Sequence, residues 1–140
     1  MAARYFLDTN ILIYAAAAKN DLPEKYFVAN RIVSEGEFLI SGQVLGEFYH
    51  SVRYAQHEMM TASEAQRWMQ SFQAFCAVDV DAALVQAAMY IRERFKIQFW
   101  DAALVAACHR LALPTLITED LSHGQKYGSV TVVNPFKAHH

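Results

Sequence analysis

The stretch YFLDTNILIY, residues 5–14, sets one carboxylate, Asp8, among apolar and aromatic side chains. A run this apolar belongs in an interior, and an ionised carboxylate is almost never buried without a partner. The same ten residues therefore pose the question of fold and the question of chemistry together. Residues 4–8, RYFLD, read as a short buried strand that ends on Asp8. Working outward, EFLIS (37–41), AVDV (77–80), PTLITED (114–120) and SVTVVNPF (129–136) have the same character. Short apolar strands separated by helical patterns read as an α/β fold with a mainly parallel sheet.

The intervening segments supply the helices. A break near Asn20, Asp21 and Pro23 separates the end of one helix from a second that runs to about Ser34, with Gly36 as its stop. Residues 42–55 put Val44, Leu45, Phe48 and Val52 on one helical face. Residues 61–75 open on Thr61 or Ser63 as a cap before a Glu, and repeat Trp68, Met69, Phe72 and Phe75 at helical spacing. Asp81 is placed to cap a helix over 81–95. Residues 99–113 are apolar nearly all round, which predicts a helix packed on several sides.

Whole-chain properties bound the function. The 140 residues suit one domain, and 54% hydrophobic with 19% charged residues is a globular composition. The longest strictly apolar run, Ala102 to Cys108, is far short of a membrane span. No secretory signal opens the chain, so the expected location is cytoplasmic, with no membrane partner. A net charge of −2 argues against nonspecific nucleic-acid binding through a broad basic face, though not against a local basic rim. Cys76 and Cys108 form no CxxC pair and read as reduced core thiols. The terminal His139 and His140 resemble the stub of an expression tag and are set aside from metal-site reasoning.

Four carboxylates stand at the ends or faces of these elements. Asp8 closes the first strand and Asp120 follows the strand TLIT. Ligands of parallel sheets bind outside the carboxyl ends of the strands, so acids distant in sequence can meet there. Asp101 lies in the first turn of the apolar helix, and Glu47 borders the apolar face of its own. Each has a plain structural explanation. Asp101 could be a helix N-terminal charge worth about 0.3–1 kcal/mol, Glu47 a solvated side chain, Asp120 part of a polar turn with Glu119 and Ser122, and Asp8 a helix cap. In combination they point elsewhere. Gathered carboxylates repel unless a cation joins them, and hard divalent cations prefer oxygen ligands. No Cys/His spacing suggests zinc. His50 and His57, seven apart on one expected helix face and outside any HExxH pattern, read as structural.

With these residues in view, FLDTNILIY, GEFYHSV, FWDAALVAAC, LITEDLSHGQ and VTVVNPF resemble, in order, the motifs of PIN-domain nucleases. More narrowly they resemble the VapC-like toxins of bacterial type II toxin–antitoxin pairs. The resemblance runs from Arg4 to Phe136. It implies a PIN-domain-like three-layer sandwich, with about five short strands in a mainly parallel sheet flanked by helices, as a single domain over residues 1–140. It also implies a metal-dependent endoribonuclease that leaves a 3′-hydroxyl and a 5′-phosphate and, as a toxin, inhibits translation and growth.

The family's acidic quartet falls on Asp8, Glu47, Asp101 and Asp120, as catalytic groups and ligands of one or two Mg²⁺ or Mn²⁺ ions. Thr118 matches the Thr or Ser two residues before the last acid, and Asn10 the polar residue two after the first; both are expected to support the carboxylates. Thr9 reads as structural. The run TED at 118–120 offers two adjacent acids, and alignment by the threonine favours Asp120 over Glu119. Phe99 departs from the pattern, since many relatives carry a small polar residue there. Asp79 and Asp81 match no motif and read as turn and cap residues.

For substrate contacts the candidates are Arg92, Arg94 and Lys96, shortly before Asp101, and Lys126 and His123 after Asp120. The alternating charges of residues 92–96 could equally be a solvated helix face. The resemblance implies an RNA substrate, a small antitoxin partner with a basic side chain reaching the acidic site, and a homodimer. Tyr49, Tyr54, Trp68, Met69 and Phe72 are candidates for such a surface, with the core as their alternative place. Rival readings are a housekeeping RNA-processing PIN domain, a catalytically idle protein-binding module, and a haloacid-dehalogenase-like phosphatase. The last expects a second Asp two residues after Asp8, where Asn10 stands.

Overall fold

In the computed structural model, β1 (Tyr5–Leu7) lies in the middle of the sheet, with Phe6 and Leu7 fully buried. A strand covered on both faces must be apolar without alternation, and that is why YFL carries no polar residue. The structure describes residues 2–137; the terminal His139 and His140 lie outside the described residues. The chain continues through α1 (Thr9–Ala17), α2 (Pro23–Glu35), β2 (Phe38–Ser41), α3 (Gly42–His50), α4 (Ala62–Gln73), β3 (Cys76–Val78), α5 (Ala82–Phe95), α6 (Phe99–Leu111), β4 (Thr115–Ile117), β5 (Lys126–Tyr127) and β6 (Val130–Val133).

The strand order is β3-β2-β1-β4-β6-β5. All pairings are parallel except β5 with β6. Successive strands step outward from β1 to β3 on one side, and the chain then returns to β4 on the other. The order thus reverses between β1 and β4, and the crevice outside their carboxyl ends is where such sheets bind ligands. Asp8 and Thr118 each follow one of these two strands directly. The Asp8 N–H donates to the Ile117 carbonyl (3.0 Å) and the Thr118 N–H to that of Val133 (3.1 Å), so the sheet ladder carries the two residues into register.

Helices cover both faces. Residues Ala102 to Cys108 of α6 are all buried, and α6 packs against α5 and against β3, β4 and β6. On the opposite face Tyr5, Thr115, Ile117 and Val133 border a groove whose other side is Phe27, Val28 and Ile32 of α2. The local signals behave as their chemistry requires. Gly36 adopts φ 69° at the end of α2, a conformation other residues take at a cost. Thr61 and Glu64 form a reciprocal capping box at the start of α4, and Asp81 caps α5 through the Leu84 N–H at 2.8 Å.

The mainly parallel sheet flanked by helices is as expected; its six strands include β5, only two residues long beside the turn at Gly128 (φ 67°), too short to show a period. Two expectations are corrected. The helix expected over 42–55 ends at His50 and opens into a π-turn over Ser51–Ala55, which removes His57 from the face shared with His50. The strand expected at 77–80 is Cys76–Val78, leaving Asp79 outside it. Of the proposed surface aromatics, Phe72 is core, packed edge-on to Phe48 at 5.2 Å, whereas Tyr54 is exposed. Cys108 is buried and Cys76 half-buried, and both are free. No described helix is long and apolar enough to cross a membrane.

Candidate functional site

Asp8 begins as a helix cap. Its Oδ1 accepts the Thr9 N–H at 2.7 Å at the start of α1. Its Oδ2 accepts the Thr118 hydroxyl at 2.7 Å, a bond between residues 110 apart in sequence. Having donated its one proton, the Thr118 oxygen accepts the Asp120 N–H at 3.1 Å and the Asn10 amide at 3.3 Å. The Asn10 amide also reaches Asp120 Oδ2 at 3.1 Å and Asp8 Oδ2 at 3.4 Å. Thr118 and Asn10 together therefore fix two carboxylates from two strand ends. Thr118→Val keeps the shape and removes the hydroxyl that three groups share. It should lower stability by about 1–3 kcal/mol, read from the urea midpoint at constant slope.

Glu47 arrives from α3, and its Oε1 accepts the Thr9 hydroxyl at 3.0 Å. Thr9, read as merely structural, thus orients the third acid. Asp101 stands in the first turn of α6, whose N-cap is Gln98; the Gln98 side-chain oxygen accepts the Trp100 and Asp101 N–H groups at 3.1 and 3.2 Å. Asp8, Glu47, Asp101 and Asp120 line one open cleft of about 510 Å³, with Thr9, Asn10, Ile13, His50 and Trp100 among its other walls.

Among the described residues no Lys or Arg lines this cleft. The electrostatic consequence is visible in the two inner acids. Burial pushes the Asp8 carboxyl up to about 7, aided by the charges of Asp120 and Glu47 and opposed by its Thr118 and Thr9 hydrogen bonds. Asp101 is raised for the same reason, burial first, then Asp120 and Glu47. The donor set is all oxygen, and the missing element is positive charge. Among the described residues no group of three or more acidic, Cys or His side chains is gathered closely enough to hold a metal ion as it stands. An open set of carboxylates suits a small hard cation that keeps several of its waters and shares phosphate oxygens with a substrate.

Glu119 is turned the other way. It pairs with Lys25 of α2 at 2.8 Å and accepts the Tyr14 hydroxyl. The adjacent acids of TED are thus separated, one into the cleft and one into an ion pair. Arg92, Arg94, Lys96 and Lys126 do not line the cleft. Arg92 pairs with Glu93, and Arg94 lies over the Phe95 ring. Nor does His123 line it; its Nδ1 accepts the Asn134 N–H at 3.0 Å. Residues that sequence reasoning did not single out for the site are Gln43, Gln98 and Trp100; the only signal for the last was an aromatic residue immediately before Asp101.

A PIN-domain family profile matches residues 5–127, most of the chain. The chain belongs to the PIN-domain family. No curated protein sequence matches it closely enough to name a relative. Among solved structures, this PIN domain resembles a toxin–antitoxin complex from Klebsiella pneumoniae at TM-score 0.68 and 20% identity, over 94% of this chain and 97% of that one. It resembles VapBC2 from Rickettsia felis at 0.62 and 19%, over 91% and 96%. It also resembles VapC20 from Mycobacterium tuberculosis, described as a sarcin–ricin loop cleaving toxin, at 0.62 and 20%, over 80% and 86%. At these identities the likeness establishes a common fold.

Proposed function

We propose that this PIN domain is a metal-dependent endoribonuclease and the toxin of a toxin–antitoxin pair. The observation that carries the reading is the convergence of Asp8, Glu47, Asp101 and Asp120 on one cleft that, among the described residues, no Lys or Arg lines. One or two Mg²⁺ or Mn²⁺ ions would be held by Asp8, Asp101 and Asp120, with Glu47 binding a second ion or an ion-bound water. When bound, such an ion lowers the pKa of a water and neutralises charge developing on the phosphate. The chain's own residues do the positioning. Thr118 and Asn10 hold Asp8 and Asp120, Thr9 holds Glu47, and Gln98 anchors the turn that presents Asp101.

Support for RNA as the substrate comes from the site's chemistry and from the described activity of the VapC20 neighbour. Support for an antitoxin comes from the toxin–antitoxin complexes that share the fold. A second copy of the chain is the further partner on this reading. The test is incubation of purified protein with a mixed RNA pool, with Mg²⁺ or Mn²⁺ and with EDTA. Cleavage only with metal supports the reading, and cleavage that ignores EDTA overturns it.

The two neighbouring acids give a sharper test. Glu119→Gln should leave cleavage within about threefold, because Glu119 is held by Lys25 and Tyr14 and does not line the cleft. Asp120→Asn should lose cleavage. Initial rates on one RNA decide it, and the reverse order would place the fourth acid at Glu119.

A further inference from the structure

Beside the acidic cleft lies a second hollow, lined by Gly42, Gln43, Gly46, Glu47, Asp79, Val80 and Trp100. Four of these residues, Gln43, Gly46, Glu47 and Trp100, also line the cleft, so the two spaces adjoin. Trp100 is 44% exposed although it adjoins Asp101. Its backbone is pinned on both sides, since the N–H donates to Gln98 and the carbonyl accepts the Gln43 amide at 3.2 Å. Phe99 braces the ring edge-on at 4.9 Å. The hollow's floor is open because Gly46 has no side chain, and a Cβ built there meets nothing within 4 Å. A glycine inside a helix costs stability, which helix formation alone does not explain. Asp79, outside β3 and unmatched to any motif, adds an exposed carboxylate.

We propose that this hollow is a nucleobase subsite. A base next to the scissile phosphate stacks on Trp100 over the Gly42–Gly46 floor and turns its N–H edge to Asp79. Aromatic stacking accepts any base, but an acceptor-only carboxylate selects bases by their donors. Guanine offers two adjacent N–H groups to one carboxylate, so guanine is the preferred occupant. The inference rests on the nuclease reading for the phosphate's position; the base site itself can be measured without cleavage.

The protein has two tryptophans. Trp68 stacks on Phe72 in α4, away from the hollow. In a Trp68→Phe background the fluorescence therefore reports Trp100. Titration with GMP, AMP, CMP and UMP, with Ca²⁺ present, should give saturable quenching with GMP tightest. Asp79→Asn should abolish the preference for GMP over AMP and leave AMP binding within about twofold. Trp100→Ala, read by competition with a fluorescent oligonucleotide, should weaken binding on the order of ten- to a hundredfold, with Trp100→Phe in between. Gly46→Leu, which fills the floor, should weaken all four nucleotides. Equal quenching by all bases, or a GMP preference that survives Asp79→Asn, overturns the guanine assignment, and no quenching overturns the subsite. Metal-dependent cleavage without quenching would leave the nuclease reading standing and the subsite refuted; quenching without cleavage would do the opposite.

Discussion

Asp101→Asn and Asp8→Asn should each reduce metal-dependent RNA cleavage by at least about a hundredfold. The magnitude follows from the role. A metal centre contributes several kcal/mol of charge stabilisation in the transition state, and each 1.36 kcal/mol lost is tenfold in rate. An amide keeps the size of the carboxylate and removes its charge, so the effect tests electrostatics rather than packing. Both variants should fold. Asp101 is half-buried and makes no side-chain bond to another element. In the Asp8→Asn variant the side-chain carbonyl can still cap α1, and the amide nitrogen takes the place of Oδ2 beside Thr118 at the cost of one hydrogen bond. Single-turnover rates on one RNA, with circular dichroism as the fold control, decide it. Full cleavage by either variant removes that residue from the site, and an unfolded Asp8→Asn would make Asp8 a structural cap first.

The second large effect is on stability. A buried acid whose carboxyl is pushed up to about 7 is more easily protonated folded than unfolded. Its unfolded value lies near 3.9. Below that pH both states hold the proton and Asp8 costs nothing. As pH rises from about 4 to 7 the unfolded chain releases the proton and the folded one keeps it, so metal-free stability falls; above about 7 the loss is complete. Across this window Asp8 costs several kcal/mol by the linkage relation. Asp8→Asn has no proton to lose. Metal-free, it should melt well above the wild type at pH 8 and close to it at pH 4.5. Mg²⁺ or Mn²⁺ should raise the wild-type melting temperature at pH 8 and do little for the variant. Melting curves in EDTA that shift equally for both proteins across this range would refute the buried charge.

What could be read in the chain follows from how local each signal is. Strand β1, the Gly36 stop, the Thr61 cap and the all-apolar α6 are written within a few residues, and they appear where their patterns place them. Asp8, Asp101 and Asp120 stand at strand ends or in a first turn, positions that are recognisable in the chain, whereas Glu47, mid-helix, was marked chiefly by the family resemblance. Features set by distant partners were not. The direction of Glu119 is decided by Lys25, 94 residues away, and the use of Thr9 by Glu47, 38 away. The π-turn at Ser51–Ala55 depends on packing around α3 and leaves no composition mark. The hollow at Trp100 needs Gly46 and Asp79 from other elements, neither of which marks a site alone.

One oxygen, that of Thr118, joins Asp8, Asn10 and the Asp120 backbone. Its consequence is temporal. Asp8 leaves the ribosome first among these acids and Asp120 last, and β4 lies between β1 and β6 in the sheet. A nascent chain therefore carries the early carboxylates without the seat that fixes them. The lining of the cleft is complete only once Asp120 has been made.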